Sequence, residues 1–139
     1  MTTAYFMAPV RGKDGDNVER AVKWDNIGKA LEVAEWLMRK FPTIKWYIPH
    51  RNEIFVEALI DVGVTSEQIV SAFSAIAATK DIGVSYDNDG ISSGMCAEAE
   101  NMRLAGKPVA HISTTNENCR EQIACAIALS QATHAPDVE

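Results

Sequence analysis

Cysteine is scarce in this chain: Cys96, Cys119 and Cys125 are the only three in 139 residues, and they form no C-x-x-C pair. Disulfide frameworks and thiolate zinc sites need paired or clustered cysteines, so neither organises this chain, and each cysteine reads as a small, partly buried residue. Long apolar runs are also lacking, since none approaches the roughly 20 residues that cross a bilayer. The start, Met1 to Met7, has neither the basic residues nor the apolar stretch of a secretory signal. The expectation is a cytoplasmic chain with no membrane partner. Basic charge is the third shortage: 13 Lys+Arg against 19 Asp+Glu leave a net charge of −6. Phosphate-backbone binding relies on a basic surface, so a nucleic-acid polymer is not an expected partner. The deficit is uneven, because residues 1–51 carry nine Lys+Arg and six Asp+Glu, and residues 52–139 carry four and thirteen. A small anionic ligand could still be held locally by the N-terminal half. No metal site and no cofactor are expected.

What is present fits a single domain over residues 1–134 with a loose tail at 135–139. Hydrophobic residues at 47% and charged residues at 23% are ordinary for a globular protein. Ala4 to Pro9 reads as a strand leading into a turn-rich loop that contains Arg11 and Gly12. From about Asp25 to Lys40, Ile27, Ala30, Ala34 and Leu37 recur at helical spacing, with Pro42 beyond. Ile44 to Ile48 is a second strand stopped by Pro49, which leaves His50 and Arg51 at its carboxyl end. Asn52 to Val62 and Thr65 to Lys80 read as helices, the second opening on a Thr65/Gln68 capping box. Asp81 to Tyr86 is a third strand, followed by the loop Asp87 to Gly94 and a helix that Gly106 ends. Pro108 to Ile112 is a fourth strand, and a last helix runs from about Asn116 to Thr133. This alternation predicts an α/β fold, a Rossmann-like or flavodoxin-like three-layer sandwich with a parallel sheet of four to five strands. Ligands in such folds bind beyond the carboxyl ends of the strands.

Three loops meet at that edge: the Arg11-Gly12 loop, the His50 turn, and the Asp87 to Gly94 loop with the helix after it. A helix starting near Ser92, Ser93 and Gly94 aims free N–H groups and a partial positive charge outward, which suits a phosphate or sugar. Gly94 to Glu98 is therefore the centre of the expected ligand pocket, with Met95 among its binding residues. Helical phase puts Glu98 on the inner face with Met95, Met102 and Ala105, and Glu100 on the outer face with Arg103 and Lys107. An inward carboxylate loses hydration and usually has a task. Arg11 has the geometry to clamp a phosphate. His50 has two readings, ligand contact and strand-end cap, and His111, inside an apolar strand, reads as a core or interface residue.

Tyr5-Phe6-Met7-Ala8-Pro9-Val10-Arg11-Gly12, Asn26-Ile27 with Ala30, Pro49-His50, Lys80-Asp81-Ile82-Gly83-Val84, Ser93-Gly94-Met95 with Glu98, and Gly106-Lys107-Pro108-Val109 occur in that order. Together they resemble the nucleoside 2-deoxyribosyltransferase-like superfamily, which includes 2'-deoxynucleoside 5'-monophosphate N-glycosidases and phage and bacterial relatives. The resemblance covers about residues 4–112. It implies that Glu98 is a nucleophile attacking the anomeric carbon and that Tyr5 orients it or contacts the sugar. It also implies that Arg11, Gly12, Ser92, Ser93 and Gly94 hold the 5'-hydroxyl or 5'-phosphate.

One departure stands out. Active members carry an aspartate about eight residues before the Lys80-Asp81 equivalent, and here the neighbourhood is Ser71-Ala72-Phe73-Ser74. Asp87 or Asp89 is the available substitute from the adjacent loop. The expected function is N-glycosidic bond cleavage or transfer on a nucleoside or its 5'-monophosphate, and the alternative is a nucleotide-binding module without turnover. A homo-oligomer, dimer or higher, is expected from the apolar surface of Trp36, Trp46 and the Cys119 to Leu129 helix.

Overall fold

The strand Thr3–Met7 (β1) is apolar on both sides, and Ala4 to Met7 are all buried, as a central strand of a parallel sheet requires. In the computed structural model, which describes residues 1–8, 20–87, 92–113, 115 and 117–133, β1 is followed by helix Arg20–Lys40 (α1) and strand Lys45–Tyr47 (β2). A 3-10 turn, Pro49–Asn52, leads into helices Glu53–Asp61 (α2) and Ser66–Ala78 (α3). Strand Ile82–Tyr86 (β3), helix Ser93–Leu104 (α4), strand Val109–Ile112 (β4) and helix Glu117–Thr133 (α5) complete the order. Among the described residues the sheet has four strands in the order β2-β1-β3-β4, with every neighbouring pair parallel. This is the α/β sandwich expected from the alternation.

The strand order reverses between β1 and β3, since the chain moves from β1 outward to β2 and then back across to β3. At such a switch point the connections leave in opposite directions and open a crevice at the carboxyl ends. The amino ends of the same two strands are closed by a clamp. The Thr3 N–H and hydroxyl donate to the Asp81 carboxylate at 2.8 and 3.1 Å, and the Asp81 N–H lies 3.0 Å from the Thr3 hydroxyl.

Strand alternation divides the core in two. Ala4, Phe6, Ile82, Val84, Ala110 and Ile112 face Ala30, Ala34 and Leu37 of α1 and Cys119, Ile123 and Ala126 of α5. Tyr5 and Met7 face the opposite side, against Ala77 of α3 and Met95 and Met102 of α4. Gly83, beside Tyr5 in register, makes the close approach of α4 possible, because a β-carbon there would fall 2.6 Å from Met102 Sδ and 2.8 Å from Met7 Cε.

Two expectations need correction. Helix α1 begins at Arg20 rather than Asp25, because its first inward position is a lysine that the apolar pattern passes over. Lys23 is 7% exposed and pairs with Glu53 at 3.1 Å and with Glu57, which ties α1 to α2. Trp36 and Trp46 are half-buried against the larger core, and the indole of Trp46 donates to the Phe41 carbonyl at 3.3 Å, so they are not free apolar surface. The exposed apolar side chains include Ile54 and Phe55 of α2, at 76% and 62%, and Leu129 of α5.

Filling the space over Gly83 should be costly in so tight a layer. Gly83→Ala is expected to lower stability by about 1–3 kcal/mol through overpacking against Met102 and Met7. Urea unfolding of the two proteins measures the difference, and an unchanged midpoint would show that the methionines yield freely.

Candidate functional site

Helix α4 is fixed at both ends by its own sequence. Ser92 is the N-cap, its hydroxyl accepting the Met95 N–H at 3.2 Å, and the Ser92 carbonyl accepts the Cys96 N–H. The N–H groups of Ser93 and Gly94 precede the first helical bonds and have no carbonyl within the helix to donate to. At the other end Lys107 and Gly106 donate back to the Met102 and Arg103 carbonyls at 2.9 and 3.0 Å. Gly106 adopts the positive φ of 75° that this termination requires. The helix therefore runs from the carboxyl edge of the sheet to the amino edge, with its phase set.

That phase brings Glu98 over β1, where the buried Tyr5 hydroxyl donates to its carboxylate across 93 residues of sequence. Met95 and Met102, 3% and 0% exposed, flank it in the inner row, whereas Glu100 is exposed and accepts from Arg103 Nε at 2.7 Å. The division between the two glutamates is the one helical phase predicts. Ala105, the C-cap, is exposed and leaves the inner row there. Glu98 is only part-buried, yet loss of water pushes its carboxyl up to about 7, with the Tyr5 hydrogen bond pulling the other way. Burial, and next the Glu98 charge, raise the Tyr5 phenol well above its ordinary value, so it remains a donor at any working pH.

Gly94 is not a glycine that the fold demands. A β-carbon at Gly94 would meet Val70 at 3.8 Å and Ser92 Oγ at 3.9 Å, which is ordinary contact, and its φ is not positive.

Strand parity adds Asp87 to the same side of the sheet. Ser85 and His111 are register partners on the face of Met7, and Asp87 follows two residues after Ser85. The Asp87 carboxylate stands 3.8 Å from His111 Nδ1, and its N–H donates to the Ile112 carbonyl at 3.0 Å. His111 is exposed, which corrects the core reading: β4 is an edge strand of the described sheet.

His50 lies on the other side. It is 5% exposed, tilts against Phe6, and its Nε2 bonds the Ala8 carbonyl at 2.9 Å, so the ring braces the 3-10 turn against the end of β1. A carbonyl can only accept, which makes Nε2 the protonated nitrogen, and burial lowers the imidazole's affinity for a second proton. Arg11, Gly12 and Asp89 lie outside the described residues, as does the tail from residue 134, and Ser93 is described by its backbone alone.

One neighbour of the pair escapes a residue-by-residue reading of the sequence. Tyr47 of β2 stacks on Tyr5 with centroids 5.5 Å apart and 17° between planes, and Lys80 Nζ lies 5.2 Å from the Tyr47 ring. The signal for it is register: two tyrosines at matching positions of adjacent parallel strands.

The raised carboxyl ties stability to pH. Below about 4.5 Glu98 is protonated folded or unfolded; between there and about 7 only the unfolded chain ionises; above 7 both forms do. The folded state should lose on the order of 2 kcal/mol as pH rises through that window. Glu98→Gln, which still accepts from Tyr5, should match the wild type near the lower limit and be the more stable protein at pH 8. Melting curves of the two proteins across the window test this, and a constant difference would show that Glu98 is not desolvated.

No protein-family model, curated protein or solved structure matches this chain.

Proposed function

We propose that the protein cleaves or transfers the N-glycosidic bond of a nucleoside or nucleoside 5'-monophosphate, with Glu98 as the nucleophile. The observation that carries this reading is the Tyr5–Glu98 pair: a desolvated carboxylate held by a phenol donor at the switch point of a parallel sheet. Desolvation makes the carboxylate a stronger nucleophile, and Tyr5 fixes the oxygen that does not attack. In the first step a Glu98 oxygen bonds to C1', the C1'–N bond breaks, and its electron pair leaves with the base, which takes up a proton. Water or a second base then attacks C1', the ester bond breaks, and Glu98 returns as a carboxylate. Asp87, with His111 beside it, is the acid on the same side of the sheet and the candidate to handle the proton of the leaving base.

Arg11 and Gly12, by resemblance, and the N–H groups at the start of α4 are the proposed holders of the 5' end. Gly94 puts no side chain between those N–H groups and a sugar or phosphate. The same reading makes the protein a cytoplasmic homo-oligomer of the nucleoside 2-deoxyribosyltransferase-like superfamily. No helix among the described residues is long and apolar enough to cross a membrane. The exposed Ile54, Phe55 and Leu129 offer surface to a second copy.

A second reading is a nucleotide-binding module without turnover. It is favoured by α3, whose inward positions Phe73, Ser74 and Ala77 bring no acid to the pair.

Incubation with a panel of nucleosides and monophosphates, with free base followed by chromatography, separates the two. The first reading expects base release that climbs up to tenfold per pH unit below about 7 and levels above it. Glu98→Gln should lower that release by at least about a thousandfold. Binding without release by the wild type would favour the module. Gly94→Ala should keep the melting temperature and weaken substrate binding; undiminished binding would place the ligand elsewhere.

A further inference from the structure

Ser74 is a buried polar residue that the site described so far does not use. It is 4% exposed, and its hydroxyl has no hydrogen-bond partner among the described residues. Its height in the α3–α4 layer follows from packing. Both helices return from the carboxyl edge to the amino edge on one face of the sheet, so they run parallel, and they are in extensive contact. Val70 meets the β-carbon position of Gly94 near their starts, and Ala77 shares a cluster with Met102 near their ends. One turn on from Val70 is Ser74, and one turn on from Gly94 is Glu98. A spare donor thus lies at the level of a carboxylate whose one donor among the described residues is Tyr5.

We propose that Ser74 is a positioning residue for Glu98: when the carboxylate ionises, the Ser74 hydroxyl turns to it and supplies a second donor beside Tyr5. The inference rests on the reading of Glu98 as the working carboxylate. A serine hydroxyl can do this by rotating about one bond, with no movement of the helix. While Glu98 is protonated one donor is enough and the hydroxyl is spare, which accounts for a buried group left unpaired. Once Glu98 is charged, two donors share the charge and fix the orientation of the carboxylate.

Among the described residues the ionisable groups around Glu98 are few. Helix α3 brings only Glu67, exposed in its first turn. The strands bring Tyr5, Tyr47 with Lys80 over its ring, and at the carboxyl edge Asp87 and His111. On α4 itself Glu100 and Arg103 pair with each other on the outer face. A neutral donor from α3 is therefore separable from changes in local charge.

The test is a titration of Glu98 in the ligand-free protein, followed by NMR of carboxyl-labelled glutamate and assigned with Glu98→Gln. Removing the hydroxyl in Ser74→Ala should raise the Glu98 midpoint by about one pH unit, with the melting temperature held or raised. Ser74→Thr, which restores the hydroxyl, should titrate like the wild type. Ser74→Cys, a weak donor of similar size, should follow Ala and serves in its place if Ala does not fold. An unmoved or lowered midpoint in Ala or Cys overturns the proposal, as does a rise in Thr equal to that in Ala. Because no substrate is present, these results stand apart from base release: a protein that releases no base can still show the shift, and one that releases base can lack it.

Discussion

The contact between the Tyr5 hydroxyl and the Glu98 carboxylate is the constraint around which this site is arranged. Placing a carboxylate against apolar side chains costs several kcal/mol unless a donor meets it. The donor here comes from the central strand of the sheet, whose position every other strand helps to define. Tyr5 can reach Glu98 only because α4 lies close over the sheet, and α4 lies close because Gly83 has no side chain beneath Met102. The capping serine and the reversed turn at Gly106 then set the helix's limits. A desolvated acid, a phenol donor, a small residue in the strand and a capped helix thus act as one unit.

The two faces of the sheet carry different duties. The side of α1 and α5 is a continuous aliphatic core, and the polar residue that touches it near the carboxyl edge, His50, bonds backbone as a neutral brace. The side of α3 and α4 is built on methionines and aromatic rings, and it gathers Tyr5, Tyr47, Glu98, Asp87 and His111. Methionine fills irregular space around polar groups with little strain, which suits a layer that must hold a carboxylate and leave it reachable. The Thr3–Asp81 clamp closes the amino edge of the central strands, and α4 starts at the opposite, carboxyl edge.

Much of this is legible residue by residue. The alternation of apolar runs with helical periodicity yields the parallel sheet, the Thr65–Gln68 capping box occurs with both its hydrogen bonds, and Gly106 ends α4 as its position implies. Helical phase separates Glu98 from Glu100 correctly because 3.6 residues per turn admit one inner row. Where the pattern fails, a polar residue occupies an inward position for a tertiary reason. Lys23 is buried by two glutamates, 30 and 34 residues away in sequence, so the start of α1 is invisible to an apolar count. His111 sits in a strand whose alternation is clear, but which lies at the edge of the described sheet.

Local chemistry in the sequence therefore determined the elements, their order, their caps and the inward turn of Glu98, since each depends on residues within a turn or two of one another. Only the tertiary structure decided that Tyr5 is the donor to Glu98, that Tyr47 stacks behind it, that His50 faces the opposite core, and that the buried Ser74 hydroxyl has no partner among the described residues. Those relations depend on strand register and on the height of one helix against another. The chain reaches both only when the whole sheet has closed, and no short stretch of sequence encodes them.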